Sequence, residues 1–421
     1  MLDVKFIREN KDLIEMGAKK KRITFSIDEL LRADDARKQA LSSFEEKRAK
    51  QNILVEQVPL ERDVSKRQTL IDASKTIKIE VQAEEEKLRD ALRVWQALML
   101  QVPNVPDMSV PEGADDSENV EVKTWGEIPK FSFPPKNHIE ILEQNDWADF
   151  ERGAKVAGFR GYFLKNDVVT LNFALWNFAY QFFTSRGFSP LMAPSLVRRE
   201  CFLGTGYIPQ GEEDLYKTQD GDYLGGTAEV PTMGYYMDEV VPKEKFPIKF
   251  FSFSPCFRRE AGSHGKDTKG IYRVHEFFKF EQVVLCEASH EKSVELHEEI
   301  TKNSEEFLQA LGIPYRVVVN CGGDLGLGQV KKYDVEAWVP SEKKYRETHS
   351  SSYFHDFQTR RLNIRYKDTD GTLRFVHSLN NTAVASPRIL ISILENYQQE
   401  DGAVRVPKVL IPFVGKEYLG K

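Results

Sequence analysis

Two β-leaning runs joined by a polar loop constrain this chain more than any other stretch of its sequence. Residues 250–257 are mostly apolar and lead directly into Arg258 and Glu260, and a second apolar run returns to Glu281. Side-chain alternation predicts two strands, with Arg258 and Glu260 on one face. A surface ion pair would explain those two charges alone. The connecting loop, residues 261–270, contains two lysines, three glycines and one histidine, which suits a polyanion better than a core.

This stretch, FRREAGSHGKDTKGIYRVHEF at residues 257–277, resembles motif 2 of the class II aminoacyl-tRNA synthetases, specifically of the seryl-tRNA synthetase family. Two later segments resemble the same family: ETHSSS at residues 347–352, and FVHSLNNTAVASPR at residues 375–388, which resembles motif 3. An aromatic-rich helix over residues 167–186, followed by a strand that closes on Pro194, resembles the dimer element called motif 1. From the residues alone, an ordinary helix–strand pair explains motif 1 equally well.

The resemblance covers nearly the whole chain and implies both a fold and an activity. The fold would be α+β, an antiparallel β-sheet catalytic domain flanked by helices, with an N-terminal two-helix coiled-coil arm. The activity would be that of a serine–tRNA ligase, which activates L-serine with ATP and transfers it to the 3′ end of tRNA(Ser). The resemblance leaves open whether tRNA(Sec) is also charged. Neither step needs a protein nucleophile, so catalysis would rest on positioning and charge neutralisation.

The resemblance also implies roles for individual residues. The catalytic set would be Arg258, Glu347 and Arg388. The ATP-binding set would be Arg258, Arg259, Glu260, Val274, Phe277, Glu347, Thr348, His349, Ser350 and Arg388. The serine-binding set would be Thr227, Ala228, Glu229, Arg258, Glu281 and Thr382. Glu347 and Ser350 would hold Mg²⁺ through hard oxygen ligands, and Pro194 would lie in the interface of a homodimer.

Within the implied site, Arg258 would contact the α-phosphate and Arg388 the γ-phosphate. Phe277 would stack on adenine, and Glu260 would face the adenine amino group. Many relatives carry Cys and then Asn after the residue that corresponds to Ser350. This chain has Ser351 and Tyr353 there, so no role is carried over beyond Ser350.

Residues 26–101 are typical of a long antiparallel hairpin of charged helices. Apolar residues follow heptad spacing over 26–58 and 66–101, Pro59 marks the reversal, and Asp34 and Glu84 are among the polar interruptions. From the pattern alone, a dimerisation coiled coil and an arm that reaches nucleic acid are equally favoured. The resemblance implies an arm that grips the tRNA, with further tRNA contacts from the motif 2 loop.

These features predict three parts. Residues 1–102 form the tRNA-binding helical arm, with its hairpin at about 26–101. Residues 103–119 form a linker, because three prolines and an acidic run exclude a helix interior or a central strand. Residues 120–421 form the catalytic domain.

Composition sets limits on compartment and partners. The net charge of −6 means that contact with nucleic acid depends on local basic clusters and not on the overall field. Four cysteines lack the spacing of disulfides or metal sites, which indicates reduced thiols. The N-terminus has no apolar signal core, and no run approaches the roughly 18 apolar residues of a membrane span. We expect a cytoplasmic protein that has no membrane partner.

Two alternative functions compete with that of a serine–tRNA ligase. One is a ligase that makes the same adenylate but loads a carrier protein, and the other is a non-catalytic, synthetase-like regulatory dimer. Carrier-protein ligases of this type typically lack the long arm that this chain has. The presence of Arg258, Glu281, Glu347 and Arg388 argues against a chain that has lost catalysis.

Overall fold

The computed structural model describes residues 1–262, 265 and 267–420 of the chain. These residues divide into two compact units. The helical unit comprises Leu2–Lys19 and Ile23–Pro103, and the sheet unit comprises Met1, Lys20–Arg22 and the residues from Asn104 onward.

Two long helices dominate the helical unit and pack against each other along their length. The helices of this part of the chain are α1 (Val4–Glu9), α2 (Lys11–Lys20), α3 (Ile27–Gln57) and α4 (Val64–Met99). Ser26 and Asp63 begin the two long helices, because their side chains accept hydrogen bonds from backbone N–H groups of the first turn. The turn between α3 and α4 is short, so the two helices form the antiparallel hairpin that the heptad pattern predicts.

The polar interruptions of the heptad pattern are paired inside the hairpin. Asp34 is fully buried, and its carboxylate lies 2.8 Å from the Arg37 guanidinium and 2.7 Å from the Lys38 ammonium. Glu84 is likewise buried and contacts Lys47 of α3 at 3.4 Å and Lys87 at 3.0 Å. The contact between Glu84 and Lys47 joins the two helices, so it favours one register of the hairpin over its neighbours, whereas Arg37 and Lys38 pair with Asp34 within α3.

The sheet unit is built on an eight-stranded sheet in the order β1-β10-β11-β12-β15-β9-β8-β4. Neighbouring strands are antiparallel except for the parallel pair of β4 and β8. Its strands are β1 (Val120–Trp125), β4 (Ser189–Met192), β8 (Ile248–Phe257), β9 (Glu276–Cys286), β10 (Tyr315–Val319), β11 (Lys331–Val339), β12 (Lys344–His355) and β15 (His377–Ala385).

Shorter strands form small accessory sheets at the edges of this unit. They are β2 (Ala148–Asp149), β3 (Phe163–Leu164), β5 (Leu196–Val197), β6 (Tyr223–Leu224), β7 (Val240–Val241), β13 (Arg365–Lys367), β14 (Leu373–Phe375), β16 (Val404–Arg405) and β17 (Tyr418–Leu419).

Helices of this unit pack against its sheets and against one another. They are α5 (His138–Gln144), α6 (Phe150–Ala157), α7 (Asp167–Thr184), α8 (Arg199–Thr205), α9 (Glu229–Gly234), α10 (His290–Leu311), α11 (Phe357–Arg361), α12 (Ser386–Tyr397) and α13 (Ile411–Val414). The main hydrophobic core joins the sheet to residues of α7, α10 and α12. The predicted α+β class, with an antiparallel sheet flanked by helices, is confirmed.

One local prediction is wrong. The strand that precedes the motif 2 loop ends at Phe257, so Arg258 and Glu260 do not share a strand face. Glu260 has a φ of +57°, a left-handed conformation that ends extended structure. The returning strand begins only at Glu276. The residues on either side of the loop therefore have an irregular backbone, so their side chains do not follow the alternation of a strand.

Within the described part of the chain, no helix combines the length and apolar character that crossing a membrane requires.

Candidate active site

One face of the large sheet gathers predicted residues from three strands. Thr382 of β15 lies directly opposite Glu281 of β9, and Glu281 lies opposite Ser252 of β8. Further along the strand order, beyond β15, Ser350 of β12 lies opposite Asp334 of β11. Directly paired residues of antiparallel strands point to the same side. The strand register therefore brings the hydroxyls and carboxylates of separate sequence segments onto a common surface.

Glu347 and Arg388 form an ion pair at this face. The Arg388 Nη1 lies 3.2 Å from Glu347 Oε2, and its guanidinium carbon lies 4.7 Å from the centre of the Tyr272 ring. Burial alone would raise the pKa of Glu347, but the positive charges of Arg388, Lys332 and Arg258 outweigh it and lower that pKa to about 2. Glu347 is therefore ionised at neutral pH, and two predicted arginines act on the same carboxylate.

Arg258 is held between two predicted segments. Its Nε donates a hydrogen bond to the carbonyl oxygen of Gly226 at 3.1 Å, and its guanidinium carbon lies 5.4 Å from the centre of the Phe277 ring. Its backbone N–H donates to the carbonyl oxygen of His275 at 2.9 Å. These contacts bring the motif 2 arginine next to both the aromatic ring and the segment that begins at Thr227.

Glu229 is a buried carboxylate with two neutral donors. The Tyr207 hydroxyl donates to its Oε2 at 3.1 Å, and the Gln358 amide donates to its Oε1 at 2.7 Å. Burial raises the pKa of Glu229 to about 7, against the effect of these hydrogen bonds. Thr227 is also buried, and its hydroxyl accepts a hydrogen bond from the Glu229 backbone N–H at 3.3 Å. Sequence reasoning missed Tyr207, which lies in the segment after α8, and Gln358, which lies in α11, because both are distant from Glu229 in sequence.

Glu281 has a cationic partner that the sequence prediction did not include. The Lys279 ammonium lies 2.7 Å from Glu281 Oε2, and both side chains are buried. Burial raises the pKa of Glu281, while the Lys279 charge opposes that shift. The two residues are separated by one position in β9, so the alternation of the Lys-Phe-Glu sequence could have revealed the pair.

Two predicted ATP-binding residues are engaged by other groups. Glu260 Oε2 accepts a hydrogen bond from Arg273 Nη1 at 2.8 Å and lies 4.0 Å from Arg160 Nη1. Arg259 is exposed, and its guanidinium donates to the carbonyl oxygen of Glu213 at 3.0 Å. Arg259 thus ties the start of the motif 2 loop to a neighbouring segment.

Four other predicted residues are buried in the protein interior: Ala228, Val274, Thr348 and His349. The Thr348 hydroxyl donates to the carbonyl oxygen of Val335 at 3.1 Å and contacts His349 Nδ1 at 2.9 Å. Val274 belongs to the main hydrophobic core.

The motif 2 loop is described only in part. Ser263, His264 and Lys266, which the sequence predicts as part of a tRNA contact, lie outside the described residues. In the described part, the Asp267 carboxylate accepts a hydrogen bond from Arg346 Nη2 at 2.8 Å. Arg346 in turn lies over the Tyr272 ring, 3.8 Å from its centre, on which Arg388 also packs.

The oxygen donors present fit a magnesium ion that is coordinated partly by the protein and partly by the phosphates of a substrate. Glu347 is ionised and partly exposed, and Ser350 lies on the same face of β12. Among the described residues, no group of three or more His, Cys, Asp or Glu side chains is arranged to hold a metal ion. Mg²⁺ characteristically binds through one or two carboxylates together with phosphate oxygens and water. A site completed by phosphate therefore agrees with this donor set.

The opposite side of the sheet carries an apolar cavity of about 590 Å³. It lies between α7, the start of α12 and the strand ends at Phe257 and Phe278, with Phe173 and Trp176 in its wall. Phe173 is about half exposed, and Met192 at the end of β4 is 81% exposed. Pro194 follows β4 and is also exposed. The predicted motif 1 elements therefore expose apolar side chains on both the helix and the strand.

Comparison with known proteins decides the family. The family model described as "tRNA synthetase class II core domain (G, H, P, S and T)" matches residues 216–397, and "Seryl-tRNA synthetase N-terminal domain" matches residues 1–106. The chain is 46% identical to the serine–tRNA ligase of Deinococcus radiodurans, covering all of this chain and 99% of the relative. The chain belongs to the serine–tRNA ligase family. The family prediction and the ligase class that follows from it are confirmed.

Further members of the family resemble the chain over its full length. The serine–tRNA ligase of Rubrobacter xylanophilus is 41% identical, over all of this chain and 99% of the relative. A crystal structure of seryl-tRNA synthetase from Pyrococcus horikoshii complexed with ATP superposes with a TM-score of 0.88 at 38% identity, covering 100% and 99% of the two chains. A cytoplasmic serine–tRNA ligase from Naegleria fowleri, in complex with AMP, gives 0.85 at 32% identity over the same shares.

Proposed function

We propose that this chain activates L-serine with ATP and transfers the seryl group to the 3′ end of tRNA(Ser). The observation that carries the proposal is the ion pair between Glu347 and Arg388, on whose carboxylate the charge of Arg258 also acts, at the sheet face that also presents Glu281 and Thr382. Separate cations next to an ionised acid suit a triphosphate and its metal ion. Family membership supports the same conclusion.

In the first step, a serine carboxylate oxygen forms a bond to the α-phosphorus of ATP, and the bond from that phosphorus to the pyrophosphate oxygen breaks. Arg258 neutralises the carboxylate and the α-phosphate as they approach each other, because its guanidinium is anchored beside Gly226 and Phe277. Arg388 binds the γ-phosphate from the other side. Phe277 offers its ring to adenine. These residues work by orientation and charge, with no covalent protein intermediate.

Mg²⁺ would be held by Glu347 and Ser350, and when bound it supplies positive charge to the phosphate oxygens. The ion pair with Arg388 keeps the Glu347 carboxylate ionised and oriented.

Serine recognition uses the buried carboxylates and hydroxyls. Glu229 binds the α-ammonium group, together with Thr227, while Glu281 and Thr382 bind the side-chain hydroxyl. An analogue without the hydroxyl leaves Thr382 and the Lys279-paired Glu281 without that hydrogen bond, so the site rejects alanine far more strongly than size alone would allow.

In the second step, a terminal tRNA hydroxyl forms an ester with the seryl carbonyl carbon and AMP leaves. The arm, residues 1–102, and the motif 2 loop bind the tRNA. Lysine and arginine side chains near the distal end of the hairpin suit phosphate contacts, whose strength falls with salt concentration. A linker at 103–119 joins the arm to the catalytic domain at 120–421.

The catalytic domain forms a homodimer through α7, β4 and Pro194. The exposed side chain of Phe173, which lines an apolar cavity, and the exposed side chain of Met192 support this interface. A cytoplasmic location agrees with the four cysteines, which are all free and buried.

The test is aminoacylation of purified tRNA(Ser) with labelled serine. Charging that requires both ATP and Mg²⁺ supports the proposal. Absence of charging by a folded, pure protein contradicts it. Serine-dependent formation of an adenylate without any charging of tRNA would instead favour loading of a carrier protein.

A further inference from the structure

A buried lysine sits in the proposed serine pocket without an assigned role. Lys279 and Glu281 are 5% and 3% exposed, and 2.7 Å separates the Lys279 Nζ from Glu281 Oε2. Because they are two positions apart in β9, both side chains project from the same face of the sheet. That face also presents Thr382, the direct neighbour of Glu281 on β15. Lys279 is therefore placed to act on whatever Glu281 binds.

A second carboxylate lies close to this pair. Glu229 begins α9, and α9 is fixed to β8 by a contact of 2.6 Å between the hydroxyls of Thr232 and Ser252. Ser252 in turn lies directly opposite Glu281 in the sheet register. The charge of Glu281 raises the pKa of Glu229, and the charge of Lys279 lowers it. The two carboxylates and the lysine thus belong to one buried electrostatic group.

The charges of the pocket and of serine can be matched one by one. Serine brings an ammonium group, which pairs with Glu229, and a carboxylate, which pairs with Arg258. Its side-chain hydroxyl is neutral, so it cannot balance the charge of Glu281. A buried carboxylate without a countercharge is costly and attracts any available cation. Lys279 supplies that countercharge and leaves Glu281 able to accept a hydrogen bond from a hydroxyl.

We propose that Lys279 is a positioning residue that determines specificity: by neutralising Glu281, it makes the pocket select a β-hydroxyl and exclude a β-ammonium group. The excluded class is represented by 2,3-diaminopropionate, which has the size of serine but carries an amine in place of the hydroxyl. This inference rests on the proposed function, because it assumes that serine binds at Glu229 and Glu281.

The test compares wild type, Lys279→Met and Lys279→Arg in serine-dependent ATP–pyrophosphate exchange. Two quantities are measured: KM for serine, and the inhibition constant of 2,3-diaminopropionate against serine. In Lys279→Met we expect kcat/KM for serine to fall about tenfold or more, since one partner of a buried pair is lost. We also expect the ratio of the inhibition constant to the serine KM to fall about tenfold, because specificity is a difference between affinities.

Lys279→Arg keeps the positive charge, so the ratio should stay within about threefold of the wild-type ratio. KM for ATP reports on the neighbouring nucleotide site and should change little in either variant. A purely structural role of Lys279 predicts that serine and 2,3-diaminopropionate weaken by the same factor. That result, or an unchanged ratio in Lys279→Met, overturns the proposal.

The wild-type enzyme provides a test that does not depend on folding of the variants. Inhibition by 2,3-diaminopropionate should strengthen relative to serine as pH rises and the β-ammonium group loses its proton. A ratio that does not change with pH contradicts the proposal. If wild type shows no serine-dependent exchange at all, the proposed function itself has failed, and that outcome is distinct from a failure of the role of Lys279.

Discussion

The Nη1 of Arg388 lies 3.2 Å from the carbonyl oxygen of Glu347 and 3.2 Å from its carboxylate oxygen Oε2. One residue belongs to β12 and the other to the first turn of α12, so the contact joins two segments that are distant in sequence. The same guanidinium packs on Tyr272, whose hydroxyl donates to the Glu347 carbonyl oxygen at 3.1 Å. The predicted metal-binding acid and the predicted phosphate-binding cation are therefore fixed as a unit.

Removal of the Arg388 guanidinium should abolish most of the activity. We expect Arg388→Ala to lower kcat/KM for ATP about 100-fold or more in pyrophosphate exchange, because a preorganised charge at the phosphates is lost. Arg405→Ala is the matched control, since Arg405 also packs over a tyrosine ring, that of Tyr397, but lies outside the proposed site. Equal effects of the two substitutions would show that Arg388 acts only through packing.

Neutralisation of Glu347 should change the requirement for magnesium. In Glu347→Gln, the Mg²⁺ concentration that gives half-maximal exchange should rise about tenfold or more, because a carboxylate ligand is replaced by an amide. Glu336→Gln is the control. Glu336 lies directly opposite Glu347 in the sheet, but its Oε2 accepts a hydrogen bond from Arg316 Nε at 2.5 Å. Since the pKa of Glu347 is lowered to about 2, this carboxyl stays ionised from pH 6 to pH 8, and the ratio of the Mg²⁺ requirements of Glu347→Gln and wild type should not vary over that range. A requirement that is the same in wild type and Glu347→Gln would exclude Glu347 as a ligand.

Serine affinity should depend on pH through Glu229. Burial raises the pKa of this carboxyl to about 7, so below neutral pH it is mostly protonated and cannot pair with an ammonium group. KM for serine should therefore rise as pH falls from 8 to 6, and Glu229→Gln should have a high KM without this pH dependence. Serine KM is measured by pyrophosphate exchange at saturating ATP. A KM that is constant over this range, or that falls with decreasing pH, would contradict the assignment.

The arm should serve tRNA charging but not serine activation. Replacement of residues 27–101 by a short flexible linker should leave serine-dependent exchange within about threefold of wild type, while charging of tRNA(Ser) falls by orders of magnitude. A milder control replaces only lysines and arginines at the distal end of the hairpin and should raise KM for tRNA. Loss of exchange together with charging would mean that the arm is needed for the fold of the site.

The homodimer can be tested at its exposed apolar surface. Phe173→Asp or Met192→Glu should shift the protein from dimer to monomer in sedimentation, because a charge is expensive in an apolar interface. Val156→Glu is a control, because Val156 is also an exposed apolar residue but lies outside the elements assigned to the interface. A wild-type protein that sediments as a monomer at micromolar concentration would refute the interface.

The sequence predicted the large features because they depend on local patterns. Heptad spacing identified the α3–α4 hairpin, and motif segments predicted the elements that carry Glu281, Glu347 and Arg388. The burial of Asp34 and Glu84 could not be read in the same way, because it depends on cations that approach from neighbouring turns and from the facing helix.

The site itself was harder to predict where tertiary contacts determine the backbone conformation or the partners of a side chain. The strand β8 ends at Phe257 and Glu260 has a positive φ, although the residue pattern favoured an extended strand through both Arg258 and Glu260. Tyr207 and Gln358 reach Glu229 from other elements, so no spacing rule connects them. Lys279 differs from these cases, since its pairing with Glu281 follows from strand alternation and could have been predicted.

Serine-dependent ATP–pyrophosphate exchange, compared directly with alanine as substrate, tests the central claim most directly. The site described here requires a hydroxyl to satisfy Glu281 and Thr382, so kcat/KM for serine should exceed that for alanine by about 10⁴-fold or more. Comparable exchange rates with the two amino acids, or no exchange with serine, would contradict the account.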